Sequence, residues 1–242
     1  MRKREKKTKN RLALRSKTRL TQSTPFSVKE AYKLARTNIA FSLAQNGCKC
    51  IAITSAYPSE GKTTTATNIA ICFVQVGKRV LIIDADMRRP QIHNIFKQDN
   101  QIGLSNVLGG FAKPEEAIKC LEENLYVMTA GHIPPNPTEL LASQQMKDLL
   151  DQLSQQYDYI FIDTSPVNVV TDAIIVSEIV SGMIIVAKQA QSKQFELKEA
   201  LNKLSFAKAK VLGVILTGVK IKSGKYGKYG KYGKYNSYAK YE

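Results

Sequence analysis

The chain is poor in the side chains that build metal cages. It has two histidines, His93 and His132, and four cysteines, Cys48, Cys50, Cys72 and Cys120. None of these follows the pair spacing of a zinc site. The cysteines read as small core or near-surface residues in a reducing compartment, and the histidines as loop residues rather than catalytic groups. No apolar run approaches the ~18 residues of a bilayer span. The opening Met1-Arg-Lys-Arg-Glu-Lys-Lys lacks the apolar core of a secretory signal. The expectation is a cytoplasmic protein, peripheral at the inner face of the membrane through a partner.

Acidic charge is also scarce, with 20 Asp and Glu against 36 Lys and Arg, a net charge of +16 over 242 residues. The imbalance is local. Residues 1–19 carry ten basic residues and one Glu, and residues 220–242 carry seven Lys and one Glu, which leaves about +1 for residues 20–219. The body is near neutral between two basic ends. The first end reads as a solvated arm or as a polybasic segment drawn to anionic lipid, at roughly 1 kcal/mol per basic residue near the surface. Leu12, Leu14 and Leu20 could add a little insertion. No base-reading fold accompanies the basic ends, so no specific nucleic-acid partner is expected.

What the chain does have is a phosphate loop. Ile51-Ala-Ile-Thr-Ser55 is an apolar, β-branched run. It turns through Pro58-Ser59-Glu60-Gly61 into a helical pattern from Lys62 onward. Strand, tight loop and helix in that order aim backbone N–H groups and a helix dipole at one point. Ser59, Glu60, Gly61, Lys62, Thr63 and Thr64 are the expected ATP-binding residues. Lys62 would reach the β/γ-phosphates and the Thr63 hydroxyl would sit on Mg²⁺. Ala56 stands where the usual first glycine belongs.

Two more stretches converge on the same place. Arg79–Ile83 runs apolar into Asp84-Ala85-Asp86, and Tyr159–Ile162 runs apolar into Asp163. In an open parallel sheet ligands bind outside the carboxyl ends of the strands. A carboxylate after an apolar strand is how a phosphate-loop enzyme holds magnesium. The plainer reading of an Asp at a strand end is a helix N-cap. Three such acids beside one loop argue for Mg·ATP instead.

Strand and helix patterns alternate along the rest of the chain. Helices are predicted over about 64–76, 103–110, 143–156, 171–180 and 194–207. Strands are predicted at 125–129, 183–187 and 211–216. The fold class is therefore α/β, a single-domain P-loop NTPase with a mostly parallel sheet and helices on both faces.

The loop Ser59-Glu60-Gly61-Lys62-Thr63-Thr64, the run Asp84-Ala-Asp86-Met-Arg-Arg-Pro90, Gly131-His-Ile-Pro-Pro-Asn-Pro-Thr-Glu-Leu-Leu141 and Ile162-Asp163-Thr-Ser-Pro-Val167 together resemble the bacterial tyrosine kinases of capsular and exopolysaccharide systems. The resemblance runs from about Glu30 to the C-terminus. Ser165 departs from that family's usual double proline.

The resemblance implies an ATP-dependent protein-tyrosine kinase. Catalysis would rest on Lys62, Asp84, Asp86 and Asp163. Thr63, Asp84 and Asp163 would hold Mg²⁺, Asp84 would be the base, and Asp86 would support the metal. It also implies a domain spanning 25–219 between a basic arm (1–24) and a tyrosine-cluster tail (220–242). Having no membrane span, the chain corresponds to the split form of the family. A separate membrane adaptor of the polysaccharide chain-length type would activate it, and a tyrosine phosphatase would reverse the mark.

Ser27 through Leu43 reads as an amphipathic helix with Ser27 as N-cap and Glu30 completing a capping box. Glu30, Lys33 and Arg36 recur every three residues, as an exposed charged face would. The resemblance gives them a second reading, the Glu-x-x-Arg-x-x-Arg motif that joins subunits into a ring, with Lys33 replacing the first Arg. Lysine lacks the planar fork of arginine, which weakens that contact.

Six of the eleven tyrosines, Tyr226, Tyr229, Tyr232, Tyr235, Tyr238 and Tyr241, lie in a Lys/Gly-rich tail at three-residue spacing. Such a tail has no aliphatic residue to bury and is expected to be disordered. About 20 flexible residues span roughly 25 Å, enough to reach a neighbouring subunit. It reads as a phosphoacceptor tail. Full phosphorylation would carry it from +6 to roughly −3 to −6, and is expected to loosen a ring. Two rivals stand beside the kinase. A septum- or partition-type positioning ATPase would carry lysine at the position of Tyr57 and no tyrosine tail. A nucleic-acid adaptor would show steep salt dependence.

Overall fold

The computed structural model describes residues 19–43 and 47–219. The tyrosine cluster, and all of the arm before residue 19, lie outside the described residues.

The central strands are short runs of Ile, Val, Leu and Phe with no exposed face. They are β1 (Lys49–Ser55), β2 (Val80–Asp84), β5 (Tyr159–Asp163) and β6 (Gly182–Lys188). With β3 (Ile118–Glu122), β4 (Leu125–Met128) and β7 (Val211–Thr217) they form one seven-stranded sheet in the order β3-β4-β2-β5-β1-β6-β7. Side chains alternate between the two faces of a strand, so each central strand feeds two cores. Ile51, Ile53, Ile82, Phe161 and Val186 face α1 (Phe26–Ser42) and α2 (Lys62–Val74). Ala52, Leu81, Ile83, Ile160 and Ile185 face the opposite layer. That layer holds α4 (Leu104–Leu108), α6 (Pro137–Ala142), α7 (Gln144–Ser154), α8 (Asp172–Ser177) and α9 (Gln194–Phe206). In the first layer the Phe73 ring of α2 packs at a tilt, its centroid 4.0 Å from that of Tyr159 and 5.5 Å from that of Phe161. Truncating Phe161 to alanine in such packing costs about 3–5 kcal/mol.

All strand pairs are parallel except β3 with β4. That hairpin is absent from the sequence reading. Glu123-Asn124 closes it, with Asn124 in the left-handed region at φ 64°, a conformation asparagine tolerates. The short helices α3 (Ile92–Phe96) and α5 (Pro114–Ala117) also went unread. His93, expected in a loop, belongs to α3.

The expected Ser27 cap is corrected by the structure. A turn closed by Thr24 N–H on the Thr21 carbonyl delivers Pro25 as N-cap, and its carbonyl accepts from Val28 and Lys29. The helix therefore begins at Phe26, and no side chain caps it. Glu30 pairs with Lys33 at 2.8 Å instead of reaching back.

Strand order positions the site. From β1 the chain crosses β5 to reach β2, and from β5 it crosses β1 to reach β6. The two connections leave adjacent strands in opposite directions, which opens a crevice at their carboxyl ends. The phosphate loop follows β1 there, and Asp163 ends β5.

Candidate active site

The loop between β1 and α2 is held from inside. Gly61 adopts φ 99°, and a Cβ there would meet the Thr217 side chain at 3.4 Å. Glu60 is buried, and its carboxylate turns into the protein. One oxygen accepts from the Tyr57 N–H at 2.9 Å and the other accepts from the Ser192 hydroxyl. The Glu60 carbonyl accepts from the Thr217 hydroxyl at 2.7 Å. The side chain of Glu60 thus braces the loop, and its carboxylate is committed to protein donors. Ser59 is exposed with φ 71°, and Thr64 is half-buried on the first turn of α2.

Lys62 lies behind the loop among carboxylates. Its Nζ is 2.8 Å from Asp86 Oδ2, and 3.4 and 3.5 Å from the two Asp163 oxygens. Nζ also lies 3.4 Å from Thr63 Oγ1, and the Thr63 side chain hydrogen-bonds Asp163. Burial pulls the Lys62 ammonium down, but Asp163, Asp86 and Asp84 outweigh it, so its pKa lies above that of free lysine. Lys62 is a fixed positive charge.

Asp84 and Asp163 are register partners on neighbouring strands, and both are 0% exposed. Burial, then the charge of Asp163, push the Asp84 carboxyl up to about 8. Burial also raises Asp163, with Lys62 and Thr63 opposing. Asp84 Oδ2 accepts from the N–H groups of Gln91 and Ile92, each at 2.9 Å. The N-cap residue of α3 is Gln91, and one oxygen of Asp84 therefore accepts from the start of that helix. Its other oxygen, Oδ1, is buried without a hydrogen-bond partner. That orphaned acceptor, with the Thr63 hydroxyl and Asp163 alongside, fits a hard cation that takes oxygen ligands. Among the described residues no group of three or more His, Cys, Asp or Glu side chains encloses a point as a full cage would. This donor set suits Mg²⁺, which keeps waters and shares substrate phosphates.

Residues 48–206 match the AAA domain family model. Over 193 residues the chain is 41% identical to the tyrosine-protein kinase YwqD of Bacillus subtilis (strain 168), covering 79% of this chain and 81% of that protein. Its structure superposes on the kinase domain of Escherichia coli tyrosine kinase ETK with a TM-score of 0.78 at 33% identity, over 84% of this chain and 80% of that one. The chain belongs to the bacterial tyrosine kinases. The same fold is seen in the septum site-determining protein MinD of Pyrococcus horikoshii OT3, solved with Mg-ADP, at TM-score 0.60, 26% identity and 70% coverage of each chain. Phosphate-loop folds of this kind hold nucleotide with magnesium.

Around the kinase site the structure adds a carboxylate that sequence reasoning missed. Asp172, the first residue of α8, is 0% exposed. Arg88 grips it through Nε at 3.0 Å and Nη2 at 3.2 Å. Thr138 donates to it at 2.8 Å, and so does Ser165 at 2.8 Å. Burial pushes its carboxyl up, but the hydrogen bonds from Arg88, Thr138 and Ser165 prevail and hold it below the ordinary value. Arg88, Thr138 and Ser165 each lie in a motif that carries the family resemblance. The signal for Asp172 was present, but nothing in the sequence said the three motifs meet there.

Glu30, Lys33 and Arg36, the residues expected to join subunits, make contacts within the chain, and Lys33 is exposed. Glu30 and Lys33 pair with each other, and Arg36 Nη1 donates to the Cys72 carbonyl at 3.1 Å near the end of α2. No helix of the described residues is long and apolar enough to cross a membrane.

Proposed function

We propose that this tyrosine kinase uses Mg·ATP to phosphorylate its own C-terminal cluster, Tyr226 to Tyr241, between subunits. The reading is carried by one observation. A buried ammonium, Lys62, stands at the end of a phosphate loop with Asp86 and Asp163, beside a buried carboxylate, Asp84, that has one acceptor oxygen free. Phosphoryl transfer needs positioning and charge stabilisation more than covalent help. Lys62 and the loop amides hold the phosphates. Thr63, Asp84 and Asp163 hold Mg²⁺ directly or through water, with Asp86 in support. Magnesium, when bound, neutralises charge on the phosphate oxygens.

Tyrosine has a pKa near 10 and needs a base at neutral pH. Asp84 keeps one acceptor oxygen, Oδ1, without a hydrogen-bond partner, and that oxygen would take the hydroxyl proton. Asp84 is the proposed base.

Glu30, Lys33 and Arg36 are proposed to join neighbouring copies into a ring. Each would have to exchange a contact within its own chain for one across the interface. That exchange makes assembly reversible. The activator is proposed to be a membrane adaptor of the polysaccharide chain-length type, placing the kinase at the inner membrane face. The regulated process is capsular or exopolysaccharide synthesis and export, and a tyrosine phosphatase resets the tail.

The test is mass spectrometry of purified protein after Mg·ATP, beside Lys62→Met, with and without adaptor segments. Phosphate on Tyr226 to Tyr241 in the wild type alone supports the reading. Steady ATP hydrolysis without phosphotyrosine, adaptor present, overturns it.

A further inference from the structure

Ser165 sits between two carboxylates that have different jobs. Its Oγ is 2.8 Å from Asp172 Oδ2 and 3.4 Å from Asp86 Oδ1. A serine hydroxyl carries one proton, so it donates to one of them at a time, and the distances assign it to Asp172. The backbone of Ser165 is fixed, because the Thr54 hydroxyl donates to its carbonyl at 2.8 Å. Rotation about the side chain alone therefore selects the acceptor.

The two acceptors differ in what they lose. Without Ser165, Asp172 keeps both Arg88 contacts and the Thr138 hydroxyl. Asp86 is 4% exposed and relies on Lys62 at 2.8 Å, with the Arg89 N–H at 3.1 Å on Oδ1. When Lys62 turns to phosphate, the donor that the protein still gives Asp86 is the Arg89 N–H. A buried charge is costly unless another donor arrives. Ser165 is the hydroxyl within reach.

We propose that Ser165 is a positioning residue whose hydroxyl swings from Asp172 to Asp86 as Lys62 leaves Asp86 for the nucleotide phosphates. The proton stays on Oγ throughout, and only its acceptor changes. Asp172, with Arg88 and Thr138, is the resting place that keeps the hydroxyl poised. A proline at this position has no hydroxyl, so the device belongs to chains with serine here. It rests on the reading above that Lys62 binds phosphate.

The test compares Ser165→Ala with Thr138→Val, which removes a donor to Asp172 without touching Asp86. For each, thermal unfolding is followed with and without Mg·ADP, and KM for ATP is measured in tail phosphorylation. Ser165→Ala is expected to weaken Mg·ADP binding and raise the KM for ATP by about 3- to 10-fold, the net effect of one hydrogen bond. Its melting temperature should fall further with nucleotide than without. Thr138→Val is expected to lower the melting temperature equally in both conditions. If Ser165→Ala keeps the wild-type nucleotide-induced shift and KM, or loses equal stability in both conditions, the proposal is overturned. Lys62→Met separates the layers. Wild-type labelling in Lys62→Met would overturn the phosphate reading itself, whereas a dead Lys62→Met beside an unaffected Ser165→Ala overturns the Ser165 proposal alone.

Discussion

Asp84 and Asp172 lie at the same end of the sheet and are equally buried, yet their surroundings treat them in opposite ways. Asp172 collects donors from Arg88, Thr138 and Ser165, and its carboxyl is held below the ordinary value. Asp84 receives two backbone N–H groups on one oxygen and nothing on the other, beside the like charge of Asp163. Burial alone does not say what a carboxylate is for. The number of donors does: a satisfied acid braces the protein, and an under-served one awaits a charge from outside. Active sites hold such unfinished arrangements at the expense of stability.

The largest effect expected from breaking this comparison is catalytic. Asp84→Asn should lower tail phosphorylation by ~10²–10⁴-fold, the range of a lost general base, while nucleotide still binds. Labelling at the wild-type rate would remove Asp84 from the chemistry. Next comes stability, with opposite signs at the two acids. Asp172→Ala should cost about 2 kcal/mol in urea unfolding, less than the 3–5 kcal/mol of a fully buried pair. The discount reflects the Arg88 side chain, which is 40% exposed and can be re-solvated. Asp84→Asn should instead raise the melting temperature of the nucleotide-free protein at pH 8. Equal losses at both positions would erase the distinction.

Legibility in the sequence divides along the same line. The phosphate loop, the two apolar strands ending in Asp84 and Asp163, and the alternation of strands and helices are local patterns, and the structure contains them. The neighbouring register of Asp84 and Asp163 is not local. It needs β5 inserted between β1 and β2, an order no single stretch encodes. Asp172 was invisible because its donors come from Arg88, Thr138 and Ser165 on three separate segments. The hairpin at Glu123-Asn124 was missed because it lacks the glycine that marks such turns. Ser27 failed as a cap because a preceding turn supplied the Pro25 carbonyl first. The Glu60 side chain reads as part of a nucleotide loop, yet Ser192 and the Tyr57 amide claim it.

The pH dependence of the nucleotide-free protein sharpens the comparison further. Asp84, raised to about 8, is protonated when folded over a window in which the unfolded chain has already lost that proton. Through this group stability falls as pH rises from about 4 towards 8. Asp172, lowered, does the reverse: its contribution is present above about 4 and is lost as pH falls below that. Melting temperatures across pH 3–9 should show the upper limb flattened in Asp84→Asn and the acid limb flattened in Asp172→Asn. Swapped limbs would contradict both assignments.

The smallest expected effect is Arg88→Lys. It keeps the charge but loses the two-pronged grip on Asp172, at about 1 kcal/mol. A loss as large as that of Asp172→Ala would mean the fork, rather than the sum of three donors, satisfies this acid.

β7 ends at Thr217, whose hydroxyl is bonded to the Glu60 carbonyl in the floor of the phosphate loop. The tyrosine cluster starts nine positions later, at Tyr226. On the proposed reading, the acceptor tail follows in sequence directly from a strand that is bonded to the phosphate loop. If that tail is the substrate, a tether this short would present it to a site within an assembly at an effective concentration near millimolar, however dilute the protein is. Labelling speed should then follow how many copies are assembled. It should not follow how many free tails are in solution, and a detached tail peptide should compete poorly against one still attached.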